Sequence, residues 1–132
     1  MHHVLVIDDQ DLITNLLEQA LTRFGYQVTI ASRGHEGLRL YDKGAFDLVI
    51  TDLIMPDTDG EAVVRHIRNA SRRPHTPVIG MSGTPWLLNR NVFDLVLSKP
   101  FSLKDLLNAI HSLLPGRPLA PQEPAYTRAL NV

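Results

Sequence analysis

Four apolar runs in the chain end on residues that handle charge. Asp8 and Asp9 follow "VLVI", Asp52 follows "DLVIT", Ser82 follows "VIGM" and Lys99 follows "LVLS". Brought together, these residues offer three carboxylates, one hydroxyl and one ammonium. Two carboxylates ~4 Å apart repel by about 4 kcal/mol at an effective dielectric near 20, so such a cluster calls for a cation. Oxygen ligands in a chain without cysteine favour a hard ion, with Mg²⁺ the first choice and Mn²⁺ a second candidate. Mg²⁺ keeps several waters and takes one or two carboxylates plus a phosphate oxygen. Lys99 as a point charge and Ser82 as a hydrogen-bond donor then suit the phosphate. The set fits phosphoryl transfer onto a carboxylate, where positioning and charge neutralisation do most of the work, and Asp52 is the acceptor it points to.

The elements that must position these residues are legible in the periodicity. Strand-length apolar runs lie at residues 3–7, 26–31, 46–51, 77–83 and 93–98. Helix-period segments lie between them. In the first, Leu12, Ile13, Leu16, Leu17, Ala20, Leu21 and Phe24 recur at spacings of three and four, and Gly25 is placed to end the helix in a left-handed conformation. Residues 35–44 and 60–70 carry two more helices, and the last begins at a capping box of Ser102 and Asp105. Strands apolar on both faces, alternating with helices, specify a parallel sheet covered on both sides. In such sheets the functional crevice lies beyond the carboxyl ends of the strands, where strand order reverses. Every strand but the second ends there in a residue suited to phosphate or metal chemistry.

The 132 residues fit one domain with a single core. A net charge of −1 makes no case for nucleic acid or an anionic membrane as the main partner. No signal peptide and no apolar run of ~18 residues is visible, so a cytoplasmic location is expected. After Leu114 the composition changes, with prolines at 115, 118, 121 and 124. That spacing matches one edge of a polyproline II helix. The chain therefore divides into a folded domain over 1–114 and a tail over 115–132, read either as extended or disordered chain or as a docking segment.

The sequence resembles a response-regulator receiver domain, the CheY-like family of two-component signalling. The motifs that carry the resemblance are "VLVIDDQ", "DLVITDLIMPDTDG", "PVIGMSG" and "LSKPF", in the family's order over roughly residues 3 to 114. The resemblance implies a flavodoxin-like, doubly wound five-stranded parallel sheet of order 2-1-3-4-5. It implies that Asp52 accepts the phosphoryl group and that Asp9 ligates Mg²⁺ directly. Asp8 would act through coordinated water, and the backbone carbonyl of Ile54 would complete the ligands. Lys99 would pair with the phosphoryl group, Ser82 would move toward it, and the Lys99-Pro100 bond would be cis. The implied donor is a phosphohistidine on a histidine kinase or histidine phosphotransfer protein. The output is a further protein partner or onward relay, and the domain phosphorylates and dephosphorylates itself rather than turning over as an enzyme. No DNA-binding output domain fits after Leu114, unless the chain is a fragment of something longer.

Other readings stand beside this one. Asp8 alone would pass for a helix N-cap. "DTDG" fails as a calcium loop, because aligning Gly60 with the loop glycine puts Met55 and His66 at essential ligand positions. Asp57 and Asp59 read instead as turn formers and first-turn acids of the next helix. The histidines show no ligand spacing, and the arginines of "RNASRRPH" read as a solvated cluster at a helix end. The family pattern is broken at Val96, where an aromatic residue is usual. It is broken again by the seventeen residues from Ser82 to Lys99, which leave room only for a short or irregular fourth helix. Trp86 and Leu87 would then either form a partner surface or fill the gap. A degenerate receiver acting as a constitutive interaction module is one alternative. An aspartyl-phosphate phosphohydrolase is another, opposed by Ile54 where a general acid would sit.

Overall fold

The computed structural model describes residues 2–70, 72–84 and 90–114. Its five strands are β1 (His3–Ile7), β2 (Gln27–Ala31), β3 (Leu48–Asp52), β4 (Val78–Ser82) and β5 (Leu95–Ser98). The helices are α1 (Asp11–Arg23), α2 (Gly34–Lys43), α3 (Gly60–Arg68) and α4 (Leu103–Leu113). All strand pairings are parallel and the order is β2-β1-β3-β4-β5, as the resemblance implies. No described helix is long and apolar enough to cross a membrane.

Alternation along the central strands builds two cores. Val4 and Val6 of β1 and Leu48 and Ile50 of β3 point to one face, where α1 and α4 close over them with Leu17, Leu21, Leu106 and Ile110. Leu5, Ile7 and Val49 point to the other face, against Val63, Val64 and Ile67 of α3. Each fully buried leucine or isoleucine contributes about 1.5–3 kcal/mol, which is why the central strands are apolar on both sides.

β1 lies between β2 and β3, so the chain reverses its direction of travel across the sheet at the β1/β3 boundary. The crevice at a topological switch point therefore opens over the carboxyl ends of these two strands, where Asp8 and Asp52 sit.

Local signals act largely as expected. Gly25 takes φ +89 after α1, and Ser102 and Asp105 form the reciprocal capping box of α4. Two expectations need correction. Leu12 is 72% exposed rather than part of the apolar face. The buried stripe of α1 runs through Thr14, Leu17 and Leu21, and a residue two positions from Thr14 points nearly opposite at 3.6 residues per turn. Two of the three arginines of "RNASRRPH", Arg68 and Arg73, also do more than sit in solvent. Arg68 donates to the carbonyls of Pro74 (3.0 Å) and Thr76 (2.7 Å) and to Asp94 (2.9 Å). Arg73 donates to the Phe46 carbonyl at 2.7 Å. Both bind loop carbonyls at the amino-terminal edge of the sheet.

Between β4 and β5, Arg90–Val92 form one 3₁₀ turn. Residues 85–89, including Trp86 and Leu87, and the tail over 115–132 lie outside the described residues, so the expectations placed on them are not met or refused by this structure. Val96 is partly buried against the α2/α3 core.

Candidate functional site

Each member of the candidate site comes from the carboxyl end of a strand. Asp8 and Asp9 begin the turn from β1 into α1, Asp52 closes β3, Ser82 closes β4 and Lys99 follows β5. The parallel register sets Ile7 beside Thr51 and Asp52 beside Met81. Three of these ends therefore lie side by side.

Asp8, Asp9 and Asp52 each present a carboxylate oxygen, and the three oxygens lie within 4.8 Å of one another. Lys99 reaches over two of them, with Nζ 3.3 Å from Asp8 Oδ2 and 3.6 Å from Asp52 Oδ1. Asp8 is buried, Asp52 is half-buried and Asp9 is exposed. Asp8 Oδ1 also accepts from the backbone N–H of Gln10 at 2.9 Å, a local turn that leaves Oδ2 for Lys99. Gln10, not Asp8, is the N-cap of α1. The Asp52 carboxylate accepts from the N–H of Leu53 at 2.9 Å.

Burial is the largest influence on both inner carboxyls and pushes them above the usual carboxylate range. For Asp8 the Gln10 N–H and Lys99 pull the other way, and the charge of Asp9 adds to the rise. For Asp52 the ammonium of Lys99 opposes burial, while the charge of Asp8 reinforces it. One lysine is thus too little positive charge for three acids. The donor set fits a hard divalent cation: carboxylate oxygens only, converging, with one exposed ligand at the rim.

Ser82 is 3% exposed at the end of β4. Its Oγ accepts from the N–H of Thr84 at 2.9 Å, and its carbonyl accepts from the N–H of Lys99 at 2.7 Å. The structure thus places Ser82 beside the acidic cluster but gives its hydroxyl a partner in the following loop. Thr84, whose hydroxyl lies 3.5 Å from that of Ser82, was missing from the sequence reading. The Lys99-Pro100 bond is cis.

Ile54 is 65% exposed in the loop that leaves β3, where it forms an antiparallel bridge with Asp59. Asp59, read from the sequence as a turn former and first-turn acid, is instead the N-cap of α3, accepting from the N–H of Ala62 at 2.8 Å. Asp57 differs from expectation. It lies against α2 rather than α3, accepting from the N–H groups of Gly34 (3.1 Å) and His35 (2.9 Å). The His35 N–H is the main cause that holds its carboxyl below the usual range; burial opposes it, and the Gly34 N–H adds a smaller pull in the same direction as His35.

A family model for the response regulator receiver domain matches residues 4–111. The chain belongs to that family, and it is a receiver domain of two-component response regulators. The Vibrio cholerae chemotaxis protein CheY4 is similar to it with a TM-score of 0.79 and 30% identity, over 86% of this chain and 99% of that one. The response regulator TrrA of Thermotoga maritima, solved in complex with Mg²⁺-BeF, gives 0.78 and 30% identity, over 86% of this chain and 100% of that one. The probable transcriptional regulator ycf27 of Cyanidium caldarium is 34% identical over 119 residues, 86% of this chain and 46% of that protein. The chain spans about half or less of the length of the curated relatives it matches.

Proposed function

We propose that Asp52 accepts a phosphoryl group from a phosphohistidine on a histidine kinase or phosphotransfer protein in the cytoplasm. The observation that carries this reading is the position of Lys99 Nζ between Asp8 and Asp52, at 3.3 and 3.6 Å. A carboxylate oxygen of Asp52 attacks phosphorus, the P–N bond of the donor breaks, and its electron pair returns to the imidazole, which takes up a proton. Lys99 neutralises charge on the transferred group and Ser82, once freed from Thr84, donates to it. Asp8, Asp9 and Asp52, with the backbone carbonyl of Ile54, would hold Mg²⁺, which supplies the positive charge that one lysine cannot. Signalling then proceeds by binding a protein partner or passing the phosphoryl group on. Val96, partly buried against the α2/α3 core, carries no aromatic ring, so the switch does not run through an aromatic side chain at that position.

The test is incubation with acetyl phosphate and Mg²⁺, followed by intact mass. A labile adduct of ~80 Da that requires Mg²⁺ is the expected result for transfer to a carboxylate. No adduct from acetyl phosphate or from a phosphorylated kinase would favour the constitutive interaction module instead.

The raised carboxyls also set a pH dependence. Asp8 and Asp52 hold protons in the folded, metal-free chain above the ordinary value of 3.8. Their contribution to stability is complete below that value and is lost as pH rises through the raised folded values. Metal binding requires the ionised forms. The rise in melting temperature on adding Mg²⁺ should therefore be near zero at about pH 4 and grow toward neutrality. Calorimetry across this range checks it, and an increment that ignores pH contradicts it.

A further inference from the structure

The loop that follows Asp52 is anchored at two places, and the second lies on another element. Its base is closed on itself: Ile54 bridges Asp59, and the Gly60 N–H donates to the Leu53 carbonyl at 3.1 Å. Its tip reaches α2. The two Asp57 oxygens take one N–H each from Gly34 and His35, at 3.1 and 2.9 Å. These belong to the first turn of α2, whose N–H groups have no partner within the helix. The residue in the N-cap position of α2, Arg33, makes no side-chain capping bond. Asp57 does that work from a distant part of the chain, with its charge at the favourable end of the helix dipole. The approach is close. A Cβ on Gly34 would collide with the Thr58 methyl, so glycine is what lets the loop tip rest on the helix.

We infer that Asp57 is a positioning residue for the phosphorylation site, holding the Ile54 backbone where it completes the metal ligands by clamping the loop to α2. This rests on the reading of Asp52 as acceptor with the Ile54 carbonyl as a ligand. Ile54 is largely exposed and is itself part of the base anchor through its bridge to Asp59, so losing the outer anchor leaves its place set by that bridge alone. Coupling runs both ways: a ligand that fixes the loop must also be felt at the α2 amides.

The experiment titrates Mg²⁺ into the full chain by calorimetry and by amide NMR, for wild type, Asp57→Ala, Asp57→Asn, Gly34→Ala and the control Asp42→Ala. Asp57→Ala should weaken Mg²⁺ binding roughly 10-fold, the scale of losing an outer partner of a metal ligand. Asp57→Asn keeps an acceptor oxygen and should recover part of it. Gly34→Ala, which leaves the carboxylate intact and pushes the tip away, should weaken binding as Asp57→Ala does. Asp42→Ala should match wild type. In wild type the Gly34 and His35 amides should shift on adding Mg²⁺, and phosphoryl uptake by Asp57→Ala should recover at saturating Mg²⁺. Wild-type affinity in both Asp57→Ala and Gly34→Ala, or unmoved amides, overturns the inference while leaving Asp52 as acceptor. If Asp57→Ala does not fold, Asp57→Asn and Gly34→Ala decide it on the same readouts. A wild-type chain that takes up no Mg²⁺ overturns both readings together.

Discussion

Asp52→Asn will take up no phosphoryl group from acetyl phosphate at any Mg²⁺ concentration, and in metal-free buffer at neutral pH it will melt above wild type. The first outcome follows from chemistry, since an amide oxygen is a poor nucleophile and leaves no acyl phosphate to form. The second follows from the charge balance. Three carboxylate oxygens lie within 4.8 Å of one another and share one ammonium. Burial and the charge of Asp8 already oppose ionisation of Asp52. Removing one carboxylate relieves repulsion worth on the order of 1–2 kcal/mol once the attraction of Lys99 is set against it. For a domain of this size that is a rise of roughly 3–8 °C. Scanning calorimetry and intact mass read the two effects separately. A stable, well-folded variant that still gains the adduct places the chemistry elsewhere.

Lys99→Ala will slow phosphoryl uptake by about 100-fold, the usual consequence of removing one preorganised charge-stabilising group. Mg²⁺ affinity should move the other way or stay level. Lys99 neutralises the same oxygens that would hold the ion, at 3.3 Å from Asp8 and 3.6 Å from Asp52, so its loss removes a competitor. This split separates Lys99 as a partner of the phosphoryl group from Lys99 as mere support for the acidic cluster. Some stability is lost as well. Asp8 has no exposed surface, and without its ammonium it will retain a proton more readily, which limits the cost to about 1–3 kcal/mol. Initial rates of adduct formation, Mg²⁺ calorimetry and a melting curve are sufficient. Equal losses of rate and Mg²⁺ affinity would contradict the assignment.

The convergence of Asp8, Asp9, Asp52 and Lys99 was legible because a parallel α/β sheet gathers the carboxyl ends of its strands at one edge. Once the strands were read from their apolar runs, the ends had one place to meet. The box of Ser102 and Asp105 was legible for a different reason, since a cap acts within three residues of itself. What escaped sequence reading involves partners that local patterns do not pair. Asp57 meets α2 across 22 or 23 positions, so its acidity beside α3 pointed to the wrong helix. Arg68 and Arg73 reach loop carbonyls that no side-chain pattern announces. Leu12 fits a helical spacing, but the stripe that faces the sheet is centred two positions later, on Thr14, whose hydroxyl bonds the Asp11 carbonyl at 3.1 Å. The Ser82 hydroxyl, read from the sequence as a donor to the phosphoryl group, here accepts from the Thr84 N–H, a partner two residues on that the strand pattern does not announce.

The central claim is that one carboxylate, that of Asp52, carries the phosphoryl group. Borohydride reduces an acyl phosphate to the alcohol and leaves homoserine in place of the aspartate that bore it. Phosphorylating the wild-type chain with acetyl phosphate and Mg²⁺, reducing it and sequencing its peptides by mass spectrometry reads that position directly. The account predicts homoserine at position 52 alone, and only when Mg²⁺ was present. Homoserine at position 8, 9, 57 or 59, with Asp52 intact, would contradict it.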